Sequence, residues 1–259
     1  MGTFFLVPVL SREEFDAIEF EAAFSGDHEA AAQRMSRLAV TGIQSESMPR
    51  AEAFLRAGEQ WLLADDPAAA ASGFRLALAD GGPVFVDPRV PLSRALFQLG
   101  RSAEAQALIS ELEAEGRRDP RLCDLVAEVL VERSDLPAAL RWATAGVEQC
   151  LRQEADDAGR GGAVPGPAEA GGDQSELRML LSLRYRIRND LGLPEDDYDR
   201  LLDEAPPGAD VAAADVAAAD VAAAGRRAAS TTSESDASSR STRTRSPSAM
   251  VPESRPRAS

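Results

Sequence analysis

From Phe15 to Cys150 apolar residues recur at helical spacing, and short punctuated loops divide them into segments of roughly 12–16 residues. The helix-entry signals are strong. Ser11 and Glu14 have the spacing of a capping box, with Leu10 and Phe15 at the flanking staple positions. Asp stands before Pro at Asp66-Pro67, Asp87-Pro88 and Asp119-Pro120. There the Asp side chain can accept from orphan N–H groups, and Pro at the first helical position gives up a donor that had no partner. Together these signals predict helices over 12–24, 27–40, 49–64, 67–80, 88–99, 102–115, 120–133 and 136–152. The connections are short, so consecutive helices should run antiparallel side by side. Strand signals are almost absent. The fold class is therefore all-α.

Past residue 152 the pattern changes. A Gly- and Pro-rich stretch over 153–174 reads as a flexible loop. A helix follows over 175–191, with Leu177, Leu180, Leu181, Tyr185 and Ile187 as its apolar residues, ended by Gly192-Leu193-Pro194. Leu180, Leu181 and Tyr185 would cover the apolar end of the preceding helices, leaving Arg184, Arg186 and Arg188 to face water or the acidic body. A short tenth helix is expected over 195–204, so 175–205 forms a pair of capping helices. Beyond Pro206-Pro207 a unit of Asp, Val and three Ala begins at Asp210, Asp215 and Asp220. A five-residue period matches no helical seam, so that stretch reads as linker. From Ala228 the Ser/Thr/Arg/Pro-rich chain lacks the apolar content to offset an ordering entropy of about 1–2 kcal/mol per residue. Residues 206–259 are accordingly expected to be a low-complexity linker and disordered tail, and 1–11 an N-terminal apolar segment.

A repeat underlies the helices. Over 51–82 the residues Phe54, Ala57, Gly58, Trp61, Ala70, Phe74 and Ala77 have the offsets W-x2-L-G-x2-Y followed by A-x3-F-x2-A, with aromatic swaps at the two large positions. Later copies carry Leu92, Ser93, Leu96, Ala105, Ile109 and Leu112, then Leu122, Leu125, Val126, Val129, Ala138, Trp142 and Ala145. A weaker copy upstream has Phe15, Ile18, Ala22, Ala31, Met35 and Leu38. The key alanines are spaced by 39, 35 and 33 residues, the first interval lengthened by the loop Thr41–Ser47. Small residues at these positions let two helices approach, and the large residue four further on fills the space between pairs.

This pattern resembles the tetratricopeptide repeat family. The resemblance covers 12–152 as about four helix pairs, the first degenerate, and departs from the family at Ser93 and Val126, where Gly is usual. It implies a short right-handed α-solenoid that binds protein segments in a concave groove lined by the first helix of each pair. Carried over residue by residue, the lining would be Glu52, Leu55, Glu59, Leu62 and Leu63, then Asp87, Val90, Arg94, Phe97 and Gln98. The third copy would add Cys123, Ala127, Leu130 and Val131. Leu62 and Leu130 fit the core as well as the groove. The lining is mixed apolar and acidic, with Arg94 its clear cation. Some relatives grip a carboxylate terminus with a Lys/Asn/Arg clamp, but Leu55 and Glu59 stand at the first two of those positions, which argues against that mode. The expected partner is a basic or amphipathic protein or peptide.

Charge sharpens that expectation. The net charge is −15, and all 28 basic residues are Arg. Residues 226–259 carry +4, so the rest of the chain carries −19. A body that acidic repels phosphate backbones, which argues against nucleic-acid binding by the folded part. The basic tail is itself a candidate ligand for the body.

Reactive groups are sparse. His28 is the single histidine, placed at a helix start beside Asp27 and Glu29, where a solvated polar residue is expected. Cys123 and Cys150 are not in CxxC spacing and read as small apolar filler. Glu195, Asp196, Asp197 and Asp199 read as an acidic helix start rather than a cation loop. The glycines at 159–162 and 171–172 form no phosphate-binding motif. No catalytic residue, cofactor or metal is assigned. Residues 4–10 are too short and too Pro-broken for a signal peptide, and no run reaches the roughly 20 apolar residues of a membrane helix. A cytoplasmic interaction module or assembly scaffold is the expectation. The alternative is a non-catalytic accessory subunit or a diverged enzyme domain relying on carboxylates and Arg94.

Overall fold

A computed structural model describes residues 9–159 and 170–204, with side chains over 9–157 and 175–202. The expectations for the first eight residues, the centre of the 153–174 loop and the linker and tail lie outside the described residues. Ten helices follow one another: α1 (Arg12–Ser25), α2 (His28–Thr41), α3 (Arg50–Leu63), α4 (Pro67–Asp80), α5 (Arg89–Gln98), α6 (Ser102–Ala114), α7 (Pro120–Glu132), α8 (Leu136–Gly159), α9 (Ala170–Asp190) and α10 (Asp197–Glu204). Among the described residues the extended structure is one isolated parallel bridge, Val9 with Ile43. The Leu10 amide donates to the Ile43 carbonyl at 2.7 Å, tying the chain's entry to the α2–α3 loop.

The caps form where the side-chain chemistry places them. Ser11 accepts from the Glu14 amide, Asp66 from Ala68 and Ala69, and Asp119 from Leu122. Asp27 and Asp135 add two more caps, on Ala30 and Ala138. The largest departure from expectation lies around the 153–174 loop. Helix α8 runs on to Gly159 and α9 begins at Ala170, so helix takes up both ends of that stretch. Leu151, Arg152, Gln153, Glu154 and Ala155 are good helix formers that carry α8 onward.

One turn recurs between the two helices of successive pairs. Asp65, Gly100 and Ser134 all take left-handed backbone, with φ of 60°, 74° and 59°. In each case the next amide reaches back to close the preceding helix: Asp66 to the Trp61 carbonyl at 2.9 Å, Arg101 to Leu96 at 2.8 Å, and Asp135 to Leu130 at 2.9 Å. Asp65 and Ser134 hold there despite a left-handed cost of roughly 1–2 kcal/mol for a residue with a Cβ.

Consecutive helices pack on each other from α1 to α6 and from α7 to α10, and the odd-numbered α5, α7 and α9 also lie side by side. Arg56 ties α3 to α1 through Glu19 and Asp16. Two apolar clusters result, one built mainly from α1–α5 and the other from α5–α9, and Phe97 packs against both. The small residues act as their spacing suggests. Ala70, Ala105 and Ala138 are buried, and a Cβ at Gly58 would lie 2.5 Å from a Phe74 ring carbon.

The end of the described chain corrects one expectation. Arg184 is only 4 % exposed, whereas Tyr185 is 41 % exposed. The buried residues of α9 are Leu180, Leu181, Leu183, Arg184 and Ile187, and Leu180, Arg184 and Ile187 form an i, i+4, i+7 ridge that Tyr185 falls outside. Arg184 donates to Asp196 at 2.9 Å, Asp199 at 3.1 Å and Thr144 at 3.1 Å, and Arg188 donates to Asp199 at 3.0 Å. Asp196 also caps α10, accepting from Tyr198 and Asp199. The acidic start of α10 is thus an ion-pair clamp as well as a cap.

Candidate interaction face

Helices α5, α7 and α9 lie side by side, and the expected groove residues divide sharply between core and surface. Leu55 and Cys123 are fully buried, as are Val90, Ala127 and Leu130; these are core residues and line nothing. The reason is geometric. Each first helix packs against helices on both flanks, so more of its circumference is buried than a two-helix hairpin would bury. Leu63 and Gln98 are exposed, Leu62 and Val131 half-buried, and Phe97 half-buried beneath the Arg133 guanidinium.

Three of the expected charged lining residues are already engaged. Glu52 is buried and accepts from the Phe85 amide at 2.9 Å, fixing the loop between α4 and α5. Asp87 pairs with Arg89 at 2.8 Å and Arg117 at 2.9 Å. Burial alone would raise its carboxyl, yet the hydrogen bonds and charges of those arginines hold it below the usual range. Arg94 pairs with Glu132 at 3.0 Å and stands 3.8 Å from Glu128, so it is not a free cation.

Glu59 remains. It is half-buried and has no hydrogen-bond or ion-pair partner among the described residues. Burial pushes its carboxyl up to about 7, helped by Glu19 and Glu52 and opposed by Arg56 and Arg121. A second carboxylate, not foreseen from the sequence, is its counterpart. Asp124 on α7 is 8 % exposed and likewise unpaired among the described residues. Burial pushes it up to about 7 as well, with Glu128 and Glu176 adding to the shift and Arg121 and Arg186 opposing it. No side-chain N or O atom among the described residues is both fully enclosed and unpartnered, so the Asp124 oxygens keep an edge on water.

Arg121 links the two carboxylates electrostatically and stacks on Phe85, its guanidinium carbon 4.3 Å from the ring centroid. Phe85 is 71 % exposed. Beside them opens a cavity of about 110 Å³ of mixed lining, with Val84, Val86, Leu122 and Leu125 on its apolar side and Asp87, Arg117, Asp119 and Arg121 on its charged side. Sequence reasoning missed Phe85 because it lies in a connection, and Asp124 because the family offsets pass over it. The signal for Asp124 was present: it is the one charge inside the run Leu122–Ala127.

The remaining candidates are structural. His28 is half-buried rather than solvated, with Nδ1 3.0 Å from Gln60 Oε1. Cys123 and Cys150 are free and buried, and burial pushes the Cys123 thiol up to about 12. Among the described residues no group of three or more His, Cys, Asp or Glu is placed to hold a metal, and no helix is long and apolar enough to cross a membrane. Comparison with family models, with curated proteins and with solved structures finds no match to this chain.

Proposed function

We propose that this chain is a protein-binding module of the tetratricopeptide type, in which the helix pairs stack as a short α-solenoid and the odd-helix face is its concave, partner-binding side. The reading is supported by the repeated offsets around Gly58 and Phe74 and by the threefold recurrence of the same turn at Asp65, Gly100 and Ser134. The observation that carries it is the pair Glu59 and Asp124. A carboxylate taken out of water without a partner costs stability, so two of them within reach of Arg121, which stacks on the exposed Phe85, describe a surface prepared for a cation carried on an apolar stem. The partner is accordingly a basic, partly apolar protein segment. The module works as a scaffold or adaptor, assigns no reaction to its own residues and acts in the cytoplasm.

A photo-reactive phenylalanine analogue tests the face directly. Placed at Phe85 in the full chain and irradiated in cells of the native host, it should form defined protein adducts. The same analogue at Leu78, on exposed α4, should form few. Equal labelling at the two positions would overturn the assignment of the face.

A further inference from the structure

Two helices far apart in the sequence expose faces of matching chemistry. On α1 the buried residues are Phe15, Ile18 and Ala22. Glu13, Ala17, Phe20 and Phe24 follow one another at i, i+4, i+7 and i+11, which sets them in one stripe on the other side of the helix. All four are exposed, Phe20 to 77 % and Phe24 to 90 %, and Glu21 is exposed beside them. Single apolar residues on a surface are ordinary. Two phenylalanines one turn apart leave on the order of 300 Å² of contiguous apolar surface in water, the size of patch that marks an interaction site. The rim of this patch is acidic. Arg34 pairs with Glu14, and Arg56 with Asp16 and Glu19, whereas Glu13 and Glu21 have no ion pair among the described residues.

Helix α9 carries the complement. It packs on α7, α8 and α10, and its open side presents Met179, Ser182, Tyr185 and Arg186, all exposed. Arg186 lowers the Asp124 carboxyl by its charge but forms no ion pair or hydrogen bond among the described residues. Elsewhere in the chain arginines meet aromatic rings repeatedly: Arg118 stacks on Trp142 at 4.6 Å, Arg121 on Phe85 at 4.3 Å and Arg133 on Phe97 at 5.1 Å. A thioether such as that of Met179 also packs well against a ring edge. Like faces do not suit each other. Two α1 stripes would bring Glu13 and Glu21 of both copies together in a chain of net charge −15, and two α9 faces would set Arg186 against Arg186.

We propose that the exposed α1 face of one copy docks on the exposed α9 face of a second copy, with Phe20 and Phe24 against Met179 and Tyr185, and Glu13 and Glu21 around Arg186. The contact is head-to-tail. It leaves an α1 face open on one copy and an α9 face open on the other, so further copies add in series. One helix laid on another buries little area, so the association is weak and is populated at on the order of 100 µM chain.

Sedimentation of the full chain over a concentration series tests it. The mean mass should rise with concentration beyond that of a dimer, and should fall back in about 0.5 M salt, which screens the exposed charges. Two double variants separate the faces. Phe20→Ser with Phe24→Ser disables α1 and keeps α9; Tyr185→Ser with Arg186→Glu disables α9 and keeps α1. All four positions are exposed, and circular dichroism confirms that each variant is folded. Each variant alone should associate at least about tenfold more weakly than the unaltered chain. An equimolar mixture of the two should form a one-to-one complex and stop there, because only one pair of intact faces remains. Leu76→Ser, on exposed α4, should associate as the unaltered chain does.

A chain that stays monomeric through the series would overturn the proposal. So would a mixture no more associated than its two components. If the variant altered on α9 still forms dimers that the α1 changes abolish, two α1 faces pair with each other and the head-to-tail contact is wrong.

Discussion

The α3–α4 pair and the α9–α10 pair are held by opposite means. In the first, Gly58 leaves room for the Phe74 ring, Ala70 and Ala77 are buried, and the interface is apolar. In the second, Arg184 and Arg188 are locked to Asp196 and Asp199, and only Tyr198, Leu201 and Leu202 contribute apolar contact from α10. An apolar interface of this kind rests on volume and is nearly indifferent to pH and salt. A buried ion-pair cluster rests on complete pairing, and losing one member leaves another charge stranded. Two helix pairs of similar size should therefore fail under different insults.

The largest effect is expected in the apolar pair. Phe74→Ala removes a fully buried ring and should cost about 3–5 kcal/mol, read as a fall in denaturant midpoint. Gly58→Ala acts in the opposite sense, forcing a methyl to 2.5 Å from the ring, and should cost about 1–3 kcal/mol. Combining Gly58→Ala with Phe74→Leu should cost less than the two single changes added together, because the smaller side chain makes room for the methyl. Strict additivity would place the two residues out of contact.

The polar pair should break locally. Arg184→Met removes one of the two arginines paired with Asp199 and leaves only Arg188, yet α10 packs mainly on α9, so the loss is confined to its opening. Hydrogen exchange over Asp197–Glu204 should quicken while α3 and α4 keep their protection. Acid should do the same. Hydrogen bonds from Arg184 hold the Asp196 carboxyl below its ordinary value of 3.8, so its contribution is present above that pH and lost as pH falls through the lower folded value. Below about pH 4, α10 should therefore open before α3–α4 does.

The smallest effect has the opposite sign and concerns the face. Asp124 is raised in the folded chain, so ionising it between its unfolded value near 3.8 and about 7 works against folding. Asp124→Asn should stabilise the chain at pH 8 by about 1 kcal/mol, roughly 2–4 °C in Tm, and by little at pH 5. A loss of stability at pH 8 would mean that the carboxylate is structurally needed.

The same contrast explains what could be read from the sequence. The apolar pairs announce themselves, because an apolar period and a Gly–Phe offset are properties of spacing, and eight of the helices were placed to within a few residues. The ion-pair clamp does not. Arg184 looks like any arginine of a polar face until the ridge through Leu180 and Ile187 shows it pointing inward. The proposed face was legible only in outline. Glu59 is on it, but Leu55 and Cys123 are in the core, because family offsets give a position on a helix and not how much of that helix its neighbours cover. Phe85, Arg121 and Asp124 converge from a loop and a helix far apart in sequence, a convergence that periodicity does not encode.

The central proposal is that the face bearing Glu59, Phe85 and Asp124 receives a cationic, partly apolar segment. Amide and side-chain NMR of the full chain, titrated with a synthetic Arg-rich amphipathic peptide, tests it most directly. The account predicts shifts concentrated at Glu59, Phe85, Arg121 and Asp124, with the outer faces of α4 and α6 unmoved. Shifts spread evenly over the acidic surface, or centred on the even-numbered helices, would contradict it.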